Sequence, residues 1–276
     1  MTSMNSTSSI VSGLAHLRVS DVGRGEPVVC LHAGVADRRM WAPQQHALQH
    51  RYRLIAYDRR GFGETRYEPE RFSHVADLMA VLDGLRLDSA VLMGCSMGGG
   101  LAIDAALAHP KRVRALVLVA SAVSGAPKAS DYPPAVQAKL AELEAAEQRG
   151  DVAAVNELEA QCWLDGPMQP PGRVGGATRE LFLSMNGISL QAAPAGDAIE
   201  PPPAFDRLHE LTVPTLAIWG PHDFPHVQAR MKHVVAQVRG ARHRIIEDTA
   251  HLPGLERPEE FNPVLVEFLD GLKPSA

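Results

Sequence analysis

Short apolar runs punctuate this chain, and stretches with helical spacing separate them. The runs Ala15–Val19, Pro27–Leu31, Tyr52–Tyr57, Ala90–Met93, Val113–Val119, Thr215–Trp219 and Arg242–Ile246 predict strands. Their near-continuous Val, Leu and Ile content suits central strands of a parallel sheet, buried on both faces. Between them the pattern predicts helices over Met40–Gln49, Arg71–Leu85, Met97–Ala108, His226–Val238 and Glu259–Leu272. His109-Pro110 ends the third of these, because proline disfavours helical geometry in the residue before it. Strand and helix in alternation predict an α/β domain, a mostly parallel sheet with helices on both faces.

The pattern changes after Val119. Ala135–Arg149, Val152–Trp163 and Thr178–Asn186 read as amphipathic helices, with Val152, Val155, Leu158 and Trp163 spaced for one face. Pro170-Pro171 and Pro194 to Pro203 read as irregular connectors. A structureless loop of that length is unusual. Residues 124–206 are therefore expected to form a helical cap inserted into a core built from 1–123 and 207–276. The plainer alternative is a pair of crossover helices joined by a long loop.

Composition narrows the class. A chain of 276 residues buries roughly three quarters of its unfolded surface, so it needs no staple to hold a core. Its net charge is −5 with basic residues spread along it, which points away from nucleic acid and from a polybasic membrane patch. Cys30, Cys95 and Cys162 have no metal-like spacing, and an odd count without a framework fits a reducing compartment. No metal is expected. Met1 to Ser9 is polar and serine-rich, reads as a frayed tail, and lacks the basic start and apolar core of a signal peptide. Ala90 to Ala108 is apolar, but Gly94, Gly98-Gly99-Gly100 and Asp104 argue against a membrane helix. The expectation is a soluble cytoplasmic protein, with its oligomeric state left open.

The chemistry starts at Gly94-Cys95-Ser96-Met97-Gly98, which lies between a predicted strand and a predicted helix. G-x-S-x-G in that setting is a nucleophile elbow: a tight, strained turn that leaves the serine exposed at the strand's end. Serine needs an adjacent base, and the base needs an orienting acid. In this arrangement the chain order is Ser, then Asp or Glu, then His. The strand Thr215–Trp219 leads into Gly220-Pro221-His222-Asp223, and the strand Arg242–Ile246 leads to Glu247-Asp248-Thr249-Ala250-His251. Asp223 and His251 thus lie just past the carboxyl ends of strands, where open α/β sheets bind ligands. Glu247, Asp248, Asp104, His222 and His226 are weaker candidates. Oxyanion donors are expected from the backbone N–H of Met97 and from the loop His32-Ala33-Gly34-Val35, with Gly34 chosen and Val35 as its neighbour. His32 is expected to order that loop, and Cys95 to be a small buried residue.

Taken together, His32-Ala33-Gly34, Asp58-Arg59-Arg60-Gly61-Phe62-Gly63, the elbow, Gly220 to Asp223 and His251 resemble the α/β-hydrolase superfamily. The resemblance covers nearly the whole chain outside 124–206. It is strongest to small bacterial esterases and lactonases of the 3-oxoadipate enol-lactonase type, and extends to meta-cleavage-product C–C hydrolases. It implies Ser96 as nucleophile, Asp223 as orienting acid, His251 as base, Gly34 and Met97 as oxyanion hole, and no cofactor. Serine at 96 sets the chain apart from dehalogenases and epoxide hydrolases of this fold. Leu252 stands where the C–C hydrolases usually carry tryptophan, and the oxyanion loop reads His-Ala-Gly rather than the family's His-Gly.

These readings predict hydrolysis of a small carboxylic ester or lactone through an acyl-enzyme. The rivals are C–C bond hydrolysis or cofactor-free perhydrolysis on the same triad, and a non-catalytic binding protein of the same fold. A mostly apolar pocket is expected between sheet and cap, walled by Trp41, Trp163, Met168, Phe182, Phe224 and Leu252, with Arg173 and Arg179 as possible partners of a substrate carboxylate. Each of these side chains also has a core-packing or solvated reading.

Overall fold

The computed structural model describes residues 6–129 and 131–272. Its strands are β1 (Ser6–Ser12), β2 (Ala15–Gly23), β3 (Pro27–Leu31), β4 (Arg53–Tyr57), β5 (Arg66–Tyr67), β6 (Ala90–Cys95), β7 (Val113–Val119), β8 (Thr215–Trp219) and β9 (Arg242–Ile245). They join in one sheet in the order β1-β2-β4-β3-β6-β7-β8-β9, with β5 on β2. Pairing is antiparallel for β1-β2, β2-β4 and β2-β5, and parallel from β4 through β9. This is the mostly parallel sheet expected from the alternating pattern, in the arrangement that the α/β-hydrolase resemblance implies.

Successive side chains on a strand face opposite ways, and the central strands feed two separate cores. Leu92, Leu116 and Leu118 join one apolar cluster; Val91, Met93, Ala115, Val117 and Val119 join the other. The first cluster is covered by α2 (His74–Gly84), α3 (Met97–Ala108) and α7 (Pro225–Gln237). The second is covered by α1 (Ala42–Leu48) and α9 (Pro258–Asp270). Burial on both faces is why β6 reads as an unbroken apolar run.

Two strands differ from expectation. The stretch Ser6–Ser12 is not a frayed tail: it is an edge strand that pairs antiparallel with β2 over its full length; residues 1–5 of that tail lie outside the described residues. Arg242–Ile245 forms a strand as expected, but all four residues are exposed. It is the far edge of the sheet, where its arginines and His243 reach solvent and only one neighbour, β8, is present.

Between β7 and β8 run α4 (Pro134–Gln148), α5 (Val152–Glu159) and α6 (Gly176–Leu190). The pattern carried the second helix straight to Trp163; instead α5 gives way to a π-helical turn over Ala160–Asp165. Such looser turns often occur at functional sites. The short helix α8 (Pro253–Glu256) follows His251. Among the described residues no helix is long and apolar enough to cross a membrane.

Candidate active site

The elbow is built by main-chain crowding. A Cβ at Gly94 would lie 2.2 Å from the Gly98 carbonyl, and one at Gly98 would lie 2.2 Å from the Leu31 carbonyl. Only hydrogen fits at either place, so strand β6 and helix α3 close on each other and on the end of β3. Ser96 sits between them at φ 54°, ψ −118°, a region that non-glycine residues occupy only under constraint. That constraint is three backbone hydrogen bonds: Ser96 N–H donates to Val119 O at 2.9 Å, and Ser96 O accepts from Gly100 N–H at 3.0 Å and Ala122 N–H at 2.9 Å. The Ser96 hydroxyl caps no backbone N–H of α3, which leaves it available for chemistry.

Asp223 and His251 meet. The His251 Nδ1–H donates to Asp223 Oδ2 at 2.7 Å, and both side chains are buried. Asp223 Oδ1 also accepts from the Phe224 N–H at 2.7 Å. Since a carboxylate only accepts, Nδ1 carries the proton and Nε2 is the basic nitrogen. Their two loops touch because Gly220 lets them: a Cβ there would lie 2.2 Å from Thr249 O. The loop bearing His251 also reaches the elbow, where the Cys95 thiol donates to the His251 carbonyl at 3.5 Å. Burial raises that thiol well above its ordinary pKa, so Cys95 is an inert packing residue beside Ser96.

Gly34 and Met97 also lie together. A Cβ at Gly34 would be 2.6 Å from the Met97 sulfur, so the loop after β3 faces the first turn of α3. The N–H groups of that turn have no partner within the helix. His32 holds the loop from below: Nδ1–H donates to Ala33 O at 2.7 Å, and Nε2 accepts the Arg59 N–H at 3.1 Å. Burial and the Arg59 charge hold its pKa well below the ordinary histidine value. A neutral imidazole with both nitrogens engaged is a structural strut.

Several site residues were not legible in the sequence. Glu256, on α8, accepts the N–H groups of Ala250 at 2.9 Å and Leu252 at 3.0 Å, the two neighbours of His251. Burial pushes its carboxyl up to about 7. Its cation is Arg173, which also donates to the carbonyls of Leu164, Asp165 and Asp248. The π-helical turn places Trp163 against His251: its carbonyl accepts the His251 N–H at 3.3 Å, and its ring centroid is 4.6 Å from the imidazole. An acid five residues past a candidate histidine was the one available signal, and it is a weak one.

The expected pocket wall fares differently. Trp41, Phe182, Phe224 and Leu252 are buried in the two cores, while Met168 is exposed. Neither Arg173 nor Arg179 is free to meet a substrate carboxylate: Arg173 is held as above, and Arg179 pairs with Glu157 and Asp165. The cavity beside the elbow, about 230 Å³, is lined by none of the expected wall residues; Arg59, His74, Met97, Leu101, Asp104 and Ile199 are among those that do line it. Among the described residues no cluster of three or more His, Cys, Asp or Glu is placed to hold a metal ion.

A family model for the alpha/beta hydrolase fold matches residues 26–258. A pimeloyl-[acyl-carrier protein] methyl ester esterase from Neisseria meningitidis is 27% identical over 247 residues, spanning 89% of this chain and 94% of the relative. A solved thermophilic esterase from Thermogutta terrifontis is 25% identical with a TM-score of 0.75, over 98% of this chain and 99% of that one. The enol-lactonase from Burkholderia xenovorans LB400 has the same fold, with a TM-score of 0.71 at 21% identity over 96% of this chain and 100% of that one.

Proposed function

The chain belongs to the α/β-hydrolase fold family and is an ester or lactone hydrolase, and from that premise we propose that it works through an acyl-enzyme on a Ser96–His251–Asp223 triad. The observation that carries this reading is the buried 2.7 Å hydrogen bond between His251 and Asp223, on a loop tied to the residue before Ser96. Ser96 Oγ attacks the carbonyl carbon while His251 Nε2 takes its proton. The carbonyl electrons move onto oxygen, where the N–H groups of Gly34 and Met97 receive them; such donors contribute about two to three orders of magnitude in rate. When the tetrahedral adduct collapses, the C–O bond to the leaving alkoxide breaks and His251 returns the proton to it. Water then attacks the acyl-enzyme by the same route and releases the acid and Ser96. Asp223 stays ionised and fixes the imidazole.

Residues 124–206 serve as the cap over this chemistry, a role supported by the Trp163 and Arg173 contacts to the His251 loop. Turnover of a p-nitrophenyl ester tests the reading. Ser96→Ala should lower kcat by about 10⁴-fold or more with the fold intact by circular dichroism, and a fluorophosphonate should label the wild type at Ser96 alone. A folded Ser96→Ala protein that still turns over ester overturns the assignment.

A further inference from the structure

Arg59 stands out among the buried charges. It is 2% exposed, yet its Nε has no hydrogen-bond partner and no carboxylate pairs with it among the described residues. Its Nη2 donates to the His32 carbonyl at 3.2 Å, and its guanidinium carbon lies 4.9 Å from the Phe62 ring centroid. Neither contact neutralises it. By contrast the next residue, Arg60, is equally buried but paired with Asp77 and Glu70. A buried unpaired cation is costly and is seldom kept without a counter-ion.

That cation lines the cavity beside the elbow. Met97, Gly100, Leu101 and Asp104 also line it, so it follows one face of α3 for about 10 Å, taking 1.5 Å per residue. Arg59 stands at the elbow end, because the carbonyl it holds, His32 O, would lie only 2.7 Å from a Cβ at Gly98. The acidic groups of the cavity lie elsewhere. Asp104 is two turns down the helix and accepts the Ser124 hydroxyl at 2.8 Å, and Glu200 sits on an exposed connector. His74 offers a second buried atom without a partner, Nδ1; burial and the Arg59 charge push its pKa down to about 4, so it is neutral at pH 7 and supplies no competing charge.

We propose that Arg59 anchors a substrate carboxylate, so that the preferred substrates are esters or lactones bearing a second, ionised acid group. The guanidinium fork matches a carboxylate in shape and charge. Ser96 and His251 do not line the cavity, so the reacting carbonyl would lie past Met97 at its mouth while the carboxylate reaches in to Arg59. This rests on the Ser96 reading for the reaction but not for the binding of the anion.

Matched substrates test it: mono-p-nitrophenyl glutarate against p-nitrophenyl pentanoate, which differ only in the terminal carboxylate. The wild type should favour the glutarate ester in kcat/KM by about tenfold or more, the worth of one charge-assisted contact. Arg59→Met should lose about ten- to a hundredfold on the glutarate ester and stay within about threefold on the pentanoate ester, and Arg59→Lys should recover part of the loss. No preference in the wild type overturns the proposal, and that comparison needs no folded variant. Equal loss on both esters in Arg59→Met also overturns it, since that is the mark of a structural or oxyanion role. Calorimetric binding of glutarate, compared between wild type and Arg59→Lys, separates the two layers. Glutarate bound through Arg59 in a protein whose Ser96 resists fluorophosphonate supports the subsite while the acyl-enzyme falls. A labelled Ser96 with no acid preference overturns the subsite alone.

Discussion

The sheet core and the inserted helices α4–α6 are held by different forces. Every residue of β6 is buried, whereas α4 buries only Val136 and Ala146 and α5 only Val155. In place of apolar area the insert relies on a polar web: Asn156 donates to Leu183 O at 2.9 Å, Asn186 to Asn156 at 3.0 Å, and Arg179 pairs with Asp165 at 2.9 Å. Its apolar contacts with the core are few and split between the two clusters, Ala160, Leu164, Phe182 and Met185 in one and Val136 and Cys162 in the other. The polar web ends on the His251 loop, through Arg173 and Glu256. The difference teaches that the platform under Ser96 is insulated from solvent conditions, while the support of the His251 loop is electrostatic and tunable.

Core truncation should expose this contrast most strongly. Leu92→Ala on β6 should cost about 2–5 kcal/mol in urea unfolding. Val155→Ala on α5 should cost about 1.5 kcal/mol, at about 0.8 kcal/mol per buried methyl-sized group. Equal costs would break the comparison.

The electrostatic support should respond to pH. Arg173→Met leaves Glu256 buried without its cation and should cost about 3 kcal/mol near pH 8. Burial raises the Glu256 carboxyl from its ordinary 4.5 to about 7. Its contribution to wild-type stability is therefore full below about pH 4.5 and lost as pH rises through about 7. Without Arg173 the carboxyl titrates higher still, so the variant's deficit should shrink as pH falls toward 5, where Glu256 is protonated in both proteins. Thermal melts across pH 5 to 8 measure this; a deficit that stays constant would show that Arg173 acts by packing alone. The smallest effect belongs to the exposed edge: Arg242→Ala removes an exposed pair with Glu267 and should shift stability by no more than about 0.5 kcal/mol.

Strands buried on both faces announce themselves by composition, which is why Pro27–Leu31, Val113–Val119 and Thr215–Trp219 have the bounds expected of them. Edges do not. Thr7–Ser12 buries no residue, so its composition does not mark a strand, and its pairing with β2 supplies the order; the alternation alone puts Arg242–Ile245 among buried strands. The proximity of Asp223 to His251 was legible from chain order and strand ends. Arg59 and Glu256 were not, because what distinguishes each is the set of partners it lacks or holds, and those come from distant segments. The π-helical turn was invisible for another reason: helical spacing over Val152–Trp163 fits an unbroken helix just as well.

The perch at position 96 has a broader consequence. Its conformation is fixed by hydrogen bonds of the main chain and by hydrogen atoms at Gly94 and Gly98, none of which involves the serine side chain. The scaffold therefore presents whatever group it is given at the same point in space. A change of side chain at this position is a local edit that removes none of those main-chain contacts, so new chemistry can be sampled here without dismantling the turn that presents it.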